Sequence, residues 1–461
     1  MSTYHPETQY KQDCFSNGLR VVYQSSPTNI PLTSIQIFCN VGSAFEIDNH
    51  RGMAHMVEHM VFKGTKTYTP QKIFQSFDKI GAEFNAYTTK RVTCYTIKCD
   101  SCFVETCIPM IADMLFHSTF PNHEYIKEKE VVKEENIRDQ NDVSRMNYQE
   151  FCNIAYDGTS FIHPVDTLEY HDTKHAWTLK EVIHWYKHYY IPSNMLVSIV
   201  STLSWKQVKK LLSNSDFSSP DNRKGIQYNA SHVPGLRFPQ QHLALKFGKG
   251  ETRIVCKTKK GMTNTHLMIG FPCSGYHDTH YHKLTLLANI LNGMSGRLFM
   301  QLREKTPLTY RSFVETEYEE YGGYFAVVVE CSNENVFLYK QSGKPSKPGV
   351  LPIVIELLQA LQKKGVTSKE LTFAKNQIKH ETMQQFEDID SFCDHNGRFA
   401  LIYDTSVVEF VSFDRLYETY YKTITLRQMN DYIRDVFVKE HMIITLLSND
   451  PPSLKKVQKY L

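Results

Sequence analysis

The most constraining feature of the sequence is the pentapeptide His55-Met-Val-Glu-His59, which places two imidazoles four residues apart with a carboxylate just before the second. In an α-helix, side chains three and four residues apart lie on one face, so helical spacing would bring all three groups together. Apolar residues surround the motif, no proline occurs until Pro70, and Gly52 and Gly64 are plausible helix boundaries. We therefore predict a largely buried helix that carries three polar groups inward, where they need a partner.

The spacing of the motif suits the chemistry of a catalytic metal. A catalytic zinc takes three protein ligands and leaves a fourth position for water. His55 and His59 would supply two ligands, and Glu58 would accept a proton from a water that the metal has made more acidic. The order H-x-x-E-H reverses the common H-E-x-x-H and is the inverzincin signature. The alternative is a chance pentapeptide in a chain with 20 histidines.

A third ligand has to come from elsewhere in the chain. The richest candidate stretch is Glu124–Ile137, whose apolar residues are consistent with a helix. In such a helix Glu128 and Glu135 lie two turns apart on one stripe, so one could ligate the metal while the other supports a ligand histidine. Spacing alone does not choose among these two glutamates, Glu130 and Glu134. A helix so rich in Glu and Lys could also be an ordinary solvated face.

The motif and the glutamate-rich stretch together resemble the pitrilysin and mitochondrial processing peptidase family of zinc proteases. The resemblance extends over nearly the whole chain, and it includes Asn17-Gly-Leu-Arg-Val-Val, Gly42-Ser-Ala-Phe-Glu46 and Gly52-Met-Ala-His55. It implies one Zn²⁺ per chain, with Glu135 as the third metal ligand and Glu128 as the carboxylate that supports a ligand histidine.

A second segment that resembles the family is Gly81–Thr88. In the family this segment forms the edge strand of the active-site sheet, to which an extended substrate adds as a further strand through main-chain hydrogen bonds. The resemblance therefore implies that Asn85 and Ala86 contact the substrate. Ala82 and Arg91 depart from the family pattern, which often has glycine and an acidic residue at these positions. An ordinary hairpin would explain the sequence of the strand equally well.

The second half of the chain has its own motif, Leu291-Asn-Gly-Met-Ser-Gly-Arg-Leu-Phe299, followed by Leu302-Arg-Glu-Lys305 and Tyr310. The resemblance implies that Arg303 and Tyr310 reach across a cleft toward the bound substrate. A cation and a phenol are suitable donors for a peptide carbonyl whose oxygen becomes negative during attack. Taken alone, Arg303 could equally be a residue of a surface helix.

The two halves of the chain also resemble each other. Near position 250 the order of strand-like and helix-like segments restarts, but the second copy has no H-x-x-E-H. We predict an α+β fold of two homologous domains, each a mixed or antiparallel sheet packed with helices, that face each other across a cleft. The predicted division is a catalytic zinc-binding domain at 1–225 and a metal-free domain at 226–461, with the boundary in the polar, Gly- and Pro-containing stretch 213–239.

Composition excludes several other classes of protein. The net charge is +3, from 52 basic and 49 acidic residues, so the chain gives no indication of nucleic-acid binding. It contains no apolar run of about 18 residues, so we expect no membrane helix. Its first residues lack the pattern of a signal or transit peptide, which makes cytoplasmic location the expectation. The 11 cysteines are then expected to be reduced thiols, and Cys99-x-x-Cys102 has no second pair with which to form a zinc site.

These features predict a zinc-dependent endopeptidase that hydrolyses peptides or unfolded, presequence-like protein segments. Glu58 would deprotonate the attacking water on the zinc and then pass the proton to the leaving amine. The alternatives are a catalytically silent scaffold and a subunit of a processing-peptidase-like complex that is active only beside its partner. The resemblance also implies that the chain forms a homodimer or a heterodimer.

Overall fold

The computed structural model describes most of the chain, namely residues 9–46, 51–167, 177–220, 252–273, 275, 281–319, 322–340, 342–385, 387–402 and 410–461. The strands are β1 (Tyr10–Cys14), β2 (Arg20–Ser25), β3 (Leu32–Cys39), β4 (Glu83–Thr88), β5 (Thr93–Asp100), β6 (Met195–Ser201), β7 (Arg253–Thr258), β8 (Asn264–Cys273), β9 (Thr309–Tyr318), β10 (Gly323–Ser332), β11 (Leu338–Tyr339), β12 (Lys347–Pro348) and β13 (Ile443–Ser448).

The α-helices follow the strands in a pattern that repeats once along the chain. They are α1 (Met53–Val61), α2 (Pro70–Lys79), α3 (Val104–His117), α4 (Asn122–Asn141), α5 (Val143–Ala155), α6 (Leu179–Tyr189), α7 (Trp205–Ser213), α8 (Tyr281–Leu291), α9 (Arg297–Phe299), α10 (Val350–Lys364), α11 (Ser368–Gln385), α12 (Ile389–Ile402), α13 (Leu426–Val436) and α14 (Leu454–Gln458). Together with the strands they form two compact units.

The first unit is built on a six-stranded sheet of order β1-β2-β6-β3-β5-β4. Strands β2 and β6 are parallel, and the other neighbours are antiparallel. Helices α1, α3 and α6 contribute to the core on one face of this sheet. In β3 every residue from Thr33 to Cys39 is buried, because helices cover both faces of the strand. Strand β4 forms one edge of this sheet among the described residues.

The second unit contains a five-stranded sheet of order β7-β13-β8-β10-β9. Its parallel pair is β7 with β13, and its remaining pairs are antiparallel. This order and these directions match β2-β6-β3-β5-β4 of the first unit strand by strand. The predicted α+β fold with two homologous domains is therefore confirmed, and β9 is the counterpart of the edge strand β4.

Each sheet is covered on its other face by a helix from the opposite half of the sequence. Helix α12 packs on β6, β3 and β2 of the first unit, where Ser198 Oγ donates to the carbonyl of Cys393 over 2.7 Å. A Cβ added at Gly397 would lie 2.1 Å from Cε2 of Phe38, so a glycine is required for this close approach. Helix α5 likewise packs on β13 and β8 of the second unit.

The two compact units therefore contain different segments of the chain from the two predicted halves of the sequence. The segment Asp139–Ile162 belongs with the second unit, and Thr382–Arg415 belongs with the first. An amphipathic helix shows that it covers an apolar surface, but its sequence does not indicate which sheet supplies that surface. The division at 225/226 falls outside the described residues, and both this boundary and the cleft remain predictions.

Two further observations concern the cysteines and the apolar length of the helices. All eleven cysteines are free thiols in the structure. Within the described part of the chain, no helix is both long and apolar enough to cross a bilayer.

Candidate metal centre

Helix α1 carries the H-x-x-E-H motif and begins at an unusual cap. Its N-cap residue is Gly52, with a φ of 79°, and no side chain at this position caps the helix. The buried carboxylate of Glu46 takes over that role, since it accepts hydrogen bonds from the backbone N–H groups of Gly52 at 2.7 Å and Ala54 at 2.9 Å. A carboxylate at a helix N-terminus also interacts favourably with the helix dipole. Burial nevertheless raises the pKa of Glu46, against the effect of these amides.

The structure brings His55, His59 and Glu135 together as the sequence predicts. The two Nε2 atoms lie 3.1 Å apart, and His59 Nε2 lies 3.4 Å from Glu135 Oε2. One ligand atom from each of the three residues falls within 4.8 Å of the others, and among the described residues this is the one such group. Zinc with bonds of the usual length to nitrogen and oxygen places tetrahedral donors about 3.4 Å apart. The spacing and the donor types therefore fit a zinc ion.

Helix α4 places its glutamates in different positions relative to His59. Glu135 faces His59 Nε2, whereas Glu128, two turns earlier, accepts from His59 Nδ1 at 3.1 Å. Glu130 and Glu134 are exposed. This arrangement fits a metal site, because a histidine that binds a metal through one nitrogen donates its other N–H to a supporting group.

The carboxylate of Glu128 is itself held by a cation. Lys63 Nζ lies 2.7 Å from Glu128 Oε1, and the Glu128 side chain is only 8% exposed. Burial acts to raise the pKa of Glu128, but the hydrogen bonds to His59 and Lys63 outweigh it and lower the pKa. Burial acts to lower the pKa of His59, but Glu128 and the charges of Glu58 and Glu135 raise it. An ionised Glu128 can only accept, so it orients the Nδ1–H of His59 and leaves Nε2 facing the candidate site.

Glu58 is buried beside His55 and His59, at 9% exposure. Its Oε2 accepts a hydrogen bond from Thr88 Oγ1 over 2.5 Å. Thr88 is the last residue of β4. The candidate base is therefore fixed to the end of the edge strand, close to where an added strand would lie.

Asn85 and Ala86 lie in the middle of this edge strand. They pair with Thr96 and Tyr95 of β5. The exposed Asn85 accepts a hydrogen bond through Oδ1 from the backbone N–H of Ala86 at 2.9 Å. Arg91, which departs from the family pattern, is buried in the turn after β4 with its guanidinium 5.2 Å from the centre of the Phe45 ring.

The second unit contains Arg303 and Tyr310. Arg303 lies in a π-helical turn, Met300–Glu304, where its exposed guanidinium is 5.3 Å from the centre of the Phe299 ring. Tyr310 is the second residue of β9, and its side chain lies outside the described atoms. The roles of these two residues toward a substrate remain predictions.

Sequence reasoning missed four residues that contact the site or the start of helix α1, namely Glu46, Lys63, Thr88 and Asp166. Lys63 lies four residues after His59, so helical spacing was a signal that pointed to it. Glu46 and Thr88 lie within segments that resemble the family, although no role was inferred for them. Asp166 Oδ1 lies 3.2 Å from His55 Nδ1, and nothing in its local sequence indicates this contact.

Two family models match the chain. Residues 20–159 match the one described as Insulinase (Peptidase family M16), and residues 176–378 match the one described as Peptidase M16 inactive domain. The first match contains His55, Glu58, His59 and Glu135. Asp166 lies between the two matches.

Relatives with similar sequences are named as zinc proteases. The uncharacterized zinc protease YmxG of Bacillus subtilis (strain 168) is 27% identical over 430 residues, which cover 93% of this chain and 95% of that protein. The zinc protease PqqE of Helicobacter pylori (strain ATCC 700392 / 26695) is 25% identical over 426 residues, which cover 91% of this chain and 89% of that protein.

Solved structures support the same fold. A protease from Helicobacter pylori matches with a TM-score of 0.82 at 20% identity, and the match covers 95% of this chain and 99% of that one. The periplasmic protease PqqL of Escherichia coli matches with a TM-score of 0.76 at 17% identity, over 100% of this chain and 50% of that one. At these sequence identities, the structural similarity is evidence for the fold alone.

Proposed function

Because the chain belongs to the insulinase family of peptidases, family M16, we propose that it is a zinc-dependent endopeptidase in which His55, His59 and Glu135 hold one zinc ion. The observation that carries the proposal is the gathering of these three donors within 4.8 Å. Glu128, on the far side of His59, is oriented as a supporting carboxylate would be. A helix that is merely solvated has no need of this arrangement.

Zinc held there would supply Lewis acidity, which makes a water more acidic and polarises a peptide carbonyl. Glu58 takes the proton of the attacking water and later delivers it to the leaving amine. Its burial keeps bulk water away from the carboxylate, and the hydroxyl of Thr88 fixes the orientation of one oxygen. Lys63 and Glu128 keep the ring of His59 in one orientation and one tautomer.

The substrate in this proposal is an extended peptide or an unfolded segment that adds to the outer side of β4. Main-chain pairing of this kind accepts many side chains, which suits an endopeptidase of broad preference. The N–H of Ala86 is occupied by the side chain of its neighbour Asn85. A substrate carbonyl would replace that side-chain oxygen, so Asn85 protects the edge strand when no substrate is bound.

The remaining functional predictions rest on the resemblance. Arg303 and Tyr310 are proposed to donate to the substrate carbonyl as its oxygen becomes negative. Pairing into a homodimer or heterodimer and a cytoplasmic location also stay predictions of the sequence.

The experiment that tests the proposal compares the wild-type chain with Glu58→Gln. We expect both proteins to bind zinc, as measured by elemental analysis after dialysis, and only the wild type to cleave a random peptide library. Glu134→Gln is the matched control, because Glu134 is an exposed glutamate near the site. Full cleavage by Glu58→Gln would overturn the mechanism. Zinc binding without cleavage in the wild type would indicate a missing partner, and absence of both would favour a scaffold.

A further inference from the structure

The second imidazole of the site, His55, has a buried nitrogen that the proposed zinc does not use. Its Nε2 faces His59 Nε2 at 3.1 Å. Its Nδ1 is buried from solvent and makes no hydrogen bond in the structure. The nearest carboxylate is Asp166, whose Oδ1 lies 3.2 Å from Nδ1. Buried polar atoms almost always have a partner, and the carboxylate of Asp166 is an acceptor within reach of this nitrogen.

The segment that carries Asp166 is fixed on both sides of the residue. Ser43 Oγ donates to the carbonyl of His163 at 2.9 Å. Asn136, a buried residue of α4, donates through Nδ2 to the carbonyl of Thr167, also at 2.9 Å. The backbone on each side of Asp166 is thus hydrogen-bonded to residues of elements that surround the site. These hydrogen bonds help to position the Asp166 carboxylate near the imidazole of His55.

We propose that Asp166 is a positioning residue that accepts a hydrogen bond from Nδ1–H of His55 and so directs His55 Nε2 toward the metal. This inference rests on the proposed zinc site. It gives each ligand histidine its own carboxylate, since Glu128 has the same relation to His59. The Asp166 side chain is 30% exposed and that of Glu128 is 8% exposed, so the effect of Asp166 should be the smaller of the two.

A negative charge at Asp166 would act on the metal as well as on the ring. The hydrogen bond fixes the proton on Nδ1 and makes Nε2 a better donor, while the charge adds to the attraction for a divalent cation. Asparagine at this position keeps an acceptor oxygen but loses the charge. Alanine loses both, so the two substitutions separate the contributions.

The test measures the zinc dissociation constant of the full chain by competition with a chromophoric chelator. Loss of a supporting carboxylate typically weakens metal binding by 10–100-fold, and for this partly exposed residue we expect about 10-fold for Asp166→Ala and a smaller loss for Asp166→Asn. Glu134→Ala, which removes an exposed charge without contacting either imidazole, should stay within about twofold of the wild type. Circular dichroism verifies that each variant is folded, and Asp166→Asn serves if the alanine variant is not.

A second readout follows the hydrogen bond itself. In zinc-loaded protein with ¹⁵N-labelled histidine, the Nδ1–H resonance of His55 should be observable and protected from exchange in the wild type, and lost in Asp166→Ala. An unchanged zinc affinity and an unchanged resonance in Asp166→Ala would overturn this inference while leaving the zinc site intact. A wild-type chain that binds no zinc would instead overturn the proposed function, and the inference with it.

Discussion

Replacement of Glu128 by glutamine tests how the structure prepares His59 to bind a metal. The carboxylate accepts from His59 Nδ1 at 3.1 Å and lies 2.7 Å from Lys63 Nζ. Glutamine has a similar shape but no charge, and its amide can turn an N–H toward the imidazole. The ring would then lose the group that keeps the proton on Nδ1.

The expected loss in zinc affinity follows from the burial of this carboxylate. Supporting groups of this kind are worth about 10–100-fold in metal affinity, which equals about 1.4–2.8 kcal/mol. Since the Glu128 side chain is only 8% exposed, solvent screens it little, and we expect the upper half of that range. A hydrogen bond to a charged group is worth about 1.5–3 kcal/mol by mutation, which agrees.

Chelator competition at neutral pH measures this loss, with Glu130→Gln as the control. Glu130 lies on the same helix and its side chain is 70% exposed. The control should bind zinc with the affinity of the wild type, whereas Glu128→Gln should bind zinc more weakly by the factor given above. Equal zinc affinities of the two variants would refute the assignment of Glu128. The loss of a carboxylate beside the imidazole would then affect zinc binding no more than the loss of an exposed carboxylate on the same helix.

Two further predictions concern the base and the second unit. Thr88→Val removes the hydroxyl that donates to Glu58 over 2.5 Å, so kcat should fall by about 10-fold with zinc content unchanged, whereas Thr88→Ser should retain activity. Burial acts to raise the pKa of Glu370, but Arg297 and the backbone lower it to about 2. A depressed carboxyl pKa stabilises the fold above the unfolded value, near 4.5, and this stabilisation is lost as the pH falls toward about 2. The free energy of unfolding of Glu370→Gln should therefore be lower than that of the wild type by about 2 kcal/mol at neutral pH, and denaturant titrations should show this gap shrinking as the pH falls through that window. A gap that does not change with pH would contradict the assignment.

The parts of the site that sequence reasoning predicted are those encoded by local spacing. The motif His55-Met-Val-Glu-His59 fixes a helix face, and seven-residue spacing places Glu128 and Glu135 on one stripe of α4. The resemblance then distinguished the two glutamates, and the structure places them on different nitrogens of His59.

The parts that could not be predicted depend on how distant segments meet. Asp166 is more than a hundred residues from His55 along the chain, and its position depends on contacts of Ser43 and Asn136 with the neighbouring backbone. Helices α5 and α12 each belong to the unit formed mainly by the other half of the sequence, and this was missed for a related reason. An amphipathic pattern specifies that a helix covers an apolar face, but the face itself is specified by strands elsewhere.

The central claim is that His55, His59 and Glu135 together hold a zinc ion. The most direct test is the zinc content per chain of the wild type, Glu135→Gln and Glu134→Gln after dialysis against the same buffer. We predict one zinc ion per chain in the wild type and in Glu134→Gln, and none retained in Glu135→Gln. Equal zinc in all three proteins, or a wild-type chain without zinc, would contradict the account.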